Sequence, residues 1–277
     1  KYAYTKGTGR YEFTAMGESF HGRSSGAVSV TGHEAYRKPF EPLLSGVRFA
    51  KYNDLNSVKE LVNEKTCAII LEPLQGGGGI NLATEAFMKG IRKLCDDEGI
   101  LMICDEVQCG MGRTGSMFAW QEFGVRPDIL TMAKAIGNGF PVGAFAMTEK
   151  VAEFSLAPGD HGTTYGGNPL ACAAVAKTAE IFEREDIPAH VRKVGAYLAE
   201  KLDELVDTYS CVVKRKGKGL MQGIEMTVPI SEITGKALKK GLLVIGAGSN
   251  VLRFVPPLII TEKEVDRMIT ILKEILE

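Results

Sequence analysis

Apolar residues in this chain fall into short unbroken runs, separated by stretches in which they recur every three or four positions. Cys67-Ala68-Ile69-Ile70-Leu71 is one run and ends in Glu72-Pro73; Ile100-Leu101-Met102-Ile103-Cys104 is another. Between them Thr84 stands at the cap of a segment that carries Phe87, Ile91, Leu94 and Cys95 on one face, and Gly99 follows its last turn. Run, amphipathic segment, run is the pattern of parallel strands buried on both faces and joined by a crossover helix. Further strands are predicted at 11–16, 47–52, 129–133 and 142–147. A helix is predicted from Asn168-Pro169, a cap residue followed by proline at the first helical position, to Glu185.

From residue 186 the texture changes. A helix from Pro188 to Asp207 places Val191, Val194, Leu198, Leu202 and Leu205 on one side, and short strands follow near 219–226, 242–245 and 251–255. Thr261 and Glu264 form a capping box for a last helix with Val265, Met268, Ile269, Leu272 and Ile275. The expected fold is α/β, a mostly parallel sheet sandwiched by helices over residues 1–185, with a smaller C-terminal α+β domain over 186–277.

Composition narrows the function. Of 277 residues 45% are hydrophobic, and 33 basic side chains face 34 acidic ones, a net charge of -1. That balance excludes a strongly basic nucleic-acid binder and argues against a polybasic membrane anchor. No apolar run approaches the roughly 20 residues that a spanning helix needs. The six cysteines form no CxxC pair, and a core of this size needs no disulfides, so they read as reduced thiols of a cytoplasmic protein. The histidines at 21, 33, 161 and 190 are too scattered for a metal site, and none is expected.

Ligands of open α/β sheets bind at the carboxyl ends of the strands. Asp105 ends the 100–104 run, and Lys134 ends Ile129-Leu130-Thr131-Met132-Ala133. A lysine there is unusual because burying its ammonium is costly; either residue alone also reads as a simple turn into solvent. Each is followed by a glycine-rich stretch, Glu106 to Gly115 and Ala135 to Gly143, which lets backbone approach a ligand closely. Neither stretch fits a dinucleotide fingerprint or a Walker loop. His161-Gly162-Thr163-Thr164-Tyr165-Gly166-Gly167 offers hydroxyls and amides suited to phosphate, or to ordinary helix capping.

Six ordered segments together resemble the class III aminotransferases of fold type I. They are Ser19-Phe20-His21-Gly22-Arg23, Leu71-Glu72-Pro73-Leu74-Gln75-Gly76, Asp105 to Gly115, Ala133-Lys134-Ala135, Tyr165-Gly166-Gly167-Asn168-Pro169 and Leu252-Arg253-Phe254-Val255-Pro256-Pro257. The resemblance implies pyridoxal 5'-phosphate (PLP) as cofactor. It makes Lys134 the Schiff-base lysine and proton shuttle, Asp105 the partner of the pyridine nitrogen, and Gln108 the partner of the phenolic oxygen. Phe20 and Val107 would cover the two ring faces. Thr164 would bind the phosphate from a partner subunit, so an active homodimer is implied. Arg253 would take the α-carboxylate and Arg23 the distal one; a salt bridge is the plainer reading of each. Arg113 is read as structural, Glu72 as ordering the site, and Glu106 has no catalytic role.

The wording is nearest to members that move the δ-amino group of N2-acetylornithine to 2-oxoglutarate in arginine biosynthesis. Siblings acting on ornithine, 4-aminobutyrate or succinyl-diaminopimelate remain open, as do an aminomutase or decarboxylase on the same fold and a non-enzymatic cofactor-sensing module. Two departures stand out. The family carries a phosphate-cradling segment upstream of the position of Lys1, so this chain is expected to hold the cofactor weakly by itself. The family also carries glutamate at the position of Gly77, where it covers the counterpart of Arg253, so that arginine is expected to stay uncovered here.

Overall fold

The computed structural model describes residues 1–277. Residues 1–73, 83–108 and 120–180 make one compact unit; residues 74–82, 109–119 and 181–277 make another. In chain order the first strands are β1 (Glu12–Met16), β2 (Val47–Ala50), β3 (Thr66–Leu71), β4 (Leu74–Gln75), β5 (Asn81–Leu82), β6 (Leu101–Asp105), β7 (Ile129–Met132) and β8 (Ala144–Met147).

The first unit is organised by a six-stranded sheet in the order β2-β1-β3-β6-β7-β8. Its first five strands run parallel, and β8 closes the edge antiparallel to β7. The central strands β3 and β6 read as unbroken apolar runs because both faces are covered: Ala68, Ile69, Leu71, Met102 and Cys104 are all buried. The connecting helix is Glu85–Glu98. The Thr84 hydroxyl accepts from the Phe87 amide at its start, and Gly99 ends it in the left-handed conformation. It buries Phe87, Met88, Ile91 and Cys95. Asp128 fixes the helix to the sheet, its Oδ2 accepting from the Met102 amide at 2.8 Å and from Arg92 at 2.9 Å. No helix of the chain is long and apolar enough to cross a membrane.

The second unit holds an antiparallel sheet ordered β11-β12-β10-β9, with β9 at Val212–Lys218, β10 at Met221–Met226, β11 at Ile245–Ala247 and β12 at Val251–Phe254. The helix Ile187–Thr208 buries Val191, Val194, Leu198, Leu202 and Leu205, and the helix Glu262–Leu276 opens with the expected capping box. The β4–β5 hairpin, which spans the glycine tract, belongs to this unit.

Several features depart from the sequence expectation, the helix Leu55–Leu61 among them. The strand expected at 242–245 lies at Ile245–Ala247. β9 was not anticipated, because Val-Val-Lys-Arg-Lys-Gly-Lys carries no apolar alternation. It is an edge strand, where lysines discourage pairing with a further chain. The helix Ile230–Lys239 also went unread, its period interrupted by Thr234-Gly235.

Glycine is required at 195 for a different reason from capping. A Cβ there would lie 2.7 Å from the Gly219 backbone. The buried amide of Gln222 joins the two sites by donating to the carbonyls of Gly195 (2.7 Å) and Gly219 (2.6 Å). Replacement Gly195→Ala therefore overpacks this crossing and should lower the unfolding free energy by about 2 kcal/mol. Urea denaturation of the two proteins measures it.

Candidate active site

Parallel pairing places the carboxyl ends of β1, β3, β6 and β7 along one rim of the first unit's sheet. The loop Ser19-Phe20-His21 follows β1, Glu72 follows β3, Asp105 ends β6 and Lys134 follows β7. Strand order delivers these side chains to one rim.

Asp105 is 6% exposed and is gripped from two sides. The Val107 amide donates to Oδ1 at 3.0 Å, and Oδ2 lies 2.7 Å from Nδ1 of His21. The imidazole is itself buried, and its Nε2 has no partner in the chain. The His21 amide donates to Thr31 Oγ1 at 3.0 Å, and the Gly32 amide to Ser19 Oγ at 2.9 Å, so the loop is fixed before the ring reaches Asp105.

Glu72 is 2% exposed and ties two strand ends together. Its Oε1 accepts from the Phe20 amide at 3.0 Å, and its Oε2 lies 3.5 Å from Nε2 of Gln108. The Tyr52 hydroxyl donates to the carbonyls of Glu72 and Pro73, holding this corner from below. The half-buried Phe20 ring meets Tyr36 edge to face at 5.7 Å. The exposed Arg23 guanidinium lies 4.3 Å from the centre of the Tyr36 ring and 5.5 Å from that of Phe20. Glu106 accepts from the Trp120 amide at 2.8 Å, a tie within the scaffold.

Lys134 differs from the residues around it. Asp105 pairs with Thr131 across β6 and β7, and Lys134 stands three positions beyond that pair. β7 stops at Met132, Ala133 is extended, and Lys134 opens a 3-10 turn at φ +48°. The left-handed conformation costs a lysine about 1–2 kcal/mol, and such strain persists where surrounding structure imposes it. The residue is exposed on this chain, so the desolvation expected of a strand-end lysine is not supplied by the chain's own atoms.

The rim thus brings together Asp105, Val107, Gln108 and Phe20, and adds His21 and Glu72. Thr164 is exposed, within the exposed stretch 156–167. Arg253 lies in the second unit, half-buried on β12. Arg113, in the same unit, donates to the carbonyls of Leu220 (3.1 Å) and Pro256 (2.5 Å). Burial pulls its pKa down to about 10, which still leaves it cationic at neutral pH. The grip of His21 on Asp105 joins residues 84 positions apart, and no local spacing announces it. The usable sign was a histidine directly after an aromatic residue in the loop that leaves β1.

The family model for aminotransferase class III matches residues 1–276. The chain is 46% identical over 276 residues to the acetylornithine aminotransferase of Clostridium acetobutylicum, covering 99% of this chain and 71% of that protein. It is 47% identical to that of Caldanaerobacter subterraneus subsp. tengcongensis, covering 100% and 70%. Among solved structures, an amine transaminase from an uncultivated Pseudomonas species in its PLP-bound form superposes with a TM-score of 0.92 at 31% identity, covering 99% of this chain and 71% of that one. An ornithine aminotransferase from Toxoplasma gondii ME49 gives 0.93 at 29%, covering 99% and 68%.

The buried carboxylate of Glu72 carries the rim's cohesion. Glu72→Gln removes the charge from a group that accepts from the Phe20 amide on Oε1 and faces Gln108 on Oε2, and its new NH2 is matched only if it points to Gln108 and that carboxamide turns over. The expected loss of unfolding free energy is about 1–3 kcal/mol, read by chemical denaturation.

Proposed function

Because this chain belongs to the class III aminotransferases, we propose that it serves a PLP-dependent enzyme that moves the δ-amino group of N2-acetylornithine to 2-oxoglutarate, a step of arginine biosynthesis. The observation that carries the cofactor reading is the buried Asp105, aimed by His21 at the end of β6, with Lys134 at the end of the adjacent strand. The substrate reading rests on identities of 46% and 47% to acetylornithine aminotransferases over essentially the whole chain.

The residues present fit the group. A pyridine nitrogen needs an anionic partner to stay protonated, and Asp105 is a fixed carboxylate with little access to water. When bound, PLP supplies an electron sink for negative charge on the substrate carbon. The chain's own part is to place and move protons. Asp105 holds the proton on the ring nitrogen, and His21 and the Val107 amide keep its two oxygens in position. Lys134 Nζ is the nucleophile and the proton carrier. Gln108 donates to the phenolic oxygen, Phe20 and Val107 cover the ring faces, and Thr164 donates to the phosphate.

Thr164 serves a second subunit in this reading, so the working form is a homodimer, and the compartment is the cytoplasm. Residues 1–185 carry the cofactor role. In the smaller region, 186–277, Arg253 takes the α-carboxylate; Arg23 takes the distal one. A guanidinium matches a carboxylate bidentately and stays charged.

A panel of amino donors and 2-oxo acids on the full-length protein tests this. The highest kcat/KM is expected for N2-acetylornithine with 2-oxoglutarate. A higher value for ornithine, 4-aminobutyrate or succinyl-diaminopimelate assigns the chain to a sibling activity instead. Gly77 gives a second expectation. The glycine of the tract held at positive φ is Gly79. Gly77→Glu should raise the preference for N2-acetylornithine over α-amino donors. An unchanged ratio of the two kcat/KM values contradicts a role for the missing acid.

A further inference from the structure

Arg23 is a cation without a charged partner. It is exposed, and it makes no hydrogen bond and no ion pair within the chain. What it meets is aromatic: its guanidinium carbon lies 4.3 Å from the centre of the Tyr36 ring and 5.5 Å from that of Phe20. A guanidinium held on a ring face uses none of its five N–H donors there. The salt bridge that is the plainer reading of this arginine is not formed, and its donors remain free to take a carboxylate.

Tyr36 is set for this contact. It stands in the short helix Glu34–Arg37, its amide donating to the His33 carbonyl at 3.0 Å. The His33 imidazole stacks on it, ring centres 4.3 Å apart and planes 22° apart, and the Phe20 ring meets it edge to face at 5.7 Å. Arg23, His33 and Phe20 thus converge on one ring. The Tyr36 hydroxyl forms no hydrogen bond in the chain, so the ring is what this side chain contributes.

The backbone under the ring is tied to the loop that carries Arg23. The Gly32 and His33 amides donate to the Ser19 carbonyl at 3.1 and 3.3 Å, and the Gly32 amide also to Ser19 Oγ at 2.9 Å. Glycine is needed for this approach, since a Cβ at 32 would lie 2.0 Å from the Met16 carbonyl oxygen. The Phe20 amide is bound in turn to Glu72 Oε1 at 3.0 Å. Tyr36 and Arg23 are therefore fixed to each other's segment, and both to the rim on which Glu72 and Asp105 stand.

We propose that Tyr36 is a positioning residue whose ring face holds the Arg23 guanidinium ready for the distal carboxylate of the substrate, and so sets the preference for dicarboxylate over monocarboxylate 2-oxo acids. This rests on the aminotransferase reading, because it takes Arg23 as the residue that binds the distal carboxylate. An arginine on a free stem loses side-chain freedom when a ligand fixes it; a guanidinium already stacked has less to lose. Tyr36 acts only through Arg23.

The test uses full-length protein loaded with PLP. Tyr36→Leu keeps apolar bulk and removes the ring; Tyr36→Phe keeps the ring and removes the hydroxyl. Calorimetric titration with glutarate, a dicarboxylate that cannot react, should show affinity lowered about threefold or more in Tyr36→Leu and kept in Tyr36→Phe. In steady-state kinetics 2-oxoglutarate is compared with 2-oxopentanoate, which has the same chain length and no distal carboxylate. The ratio of their kcat/KM values should fall by a similar factor in Tyr36→Leu, through KM for 2-oxoglutarate, and stay at the parent value in Tyr36→Phe. A ratio unchanged in Tyr36→Leu overturns the proposal even where both rates drop, because a purely structural role lowers the two alike. So does an equal loss in Tyr36→Phe, which assigns the effect to the hydroxyl. A protein whose glutarate affinity depends on the Tyr36 ring but which transfers no amino group sinks the aminotransferase reading and leaves the role of Tyr36. One that transaminates, with Tyr36→Leu matching the parent in both measurements, does the reverse.

Discussion

The parallel hydrogen-bond register of β1, β3, β6 and β7 is the constraint from which the candidate site follows. Parallel strands all end on the same side, so whatever follows them is gathered at one rim. Four segments far apart in sequence, around 20, 72, 105 and 134, are neighbours for that reason alone. The sheet can do this because β3 and β6 are buried on both faces, and the Glu85–Glu98 helix and Asp128 fix the crossover between them. A slip in register between β6 and β7 would move Asp105 off Thr131 and shift Lys134 with it.

What stands on the rim is held by polar groups that would be expensive to bury unpaired. Asp105 and Glu72 are buried carboxylates: His21 reaches Asp105, and the Phe20 amide and Gln108 reach Glu72, from other strand ends, while the Val107 amide holds Asp105 from its own loop. The bonds from His21, Phe20 and Gln108 join one loop to another, so loss of either carboxylate frees a segment beyond its own. Lys134 is the exception, exposed and strained at the end of its strand. In the proposed reading the rigid acid fixes a ring and the strained, exposed amine moves a proton.

Much of this was legible in the chain. The runs at 67–71 and 100–104 announced central strands because burial on both faces removes alternation, and Thr84, Gly99 and Thr261 marked helix ends through local bonds. Asp105 and Lys134 could be singled out because a charge at the end of an apolar run conflicts with its surroundings. The grip of His21 on Asp105 could not be read, since the pair is a product of strand order, and neither could the left-handed turn at Lys134. β9 was hidden because it sets Lys214, Lys216 and Lys218 on one face and Arg215 and Gly217 on the other, which leaves no apolar alternation.

The central claim is that Lys134 is the amine that engages the cofactor carbonyl. Borohydride reduction of the PLP-loaded full-length protein, followed by peptide mapping, reads it directly. The account predicts a pyridoxyl adduct on the peptide containing Lys134. An adduct on another lysine, or none after loading, contradicts it.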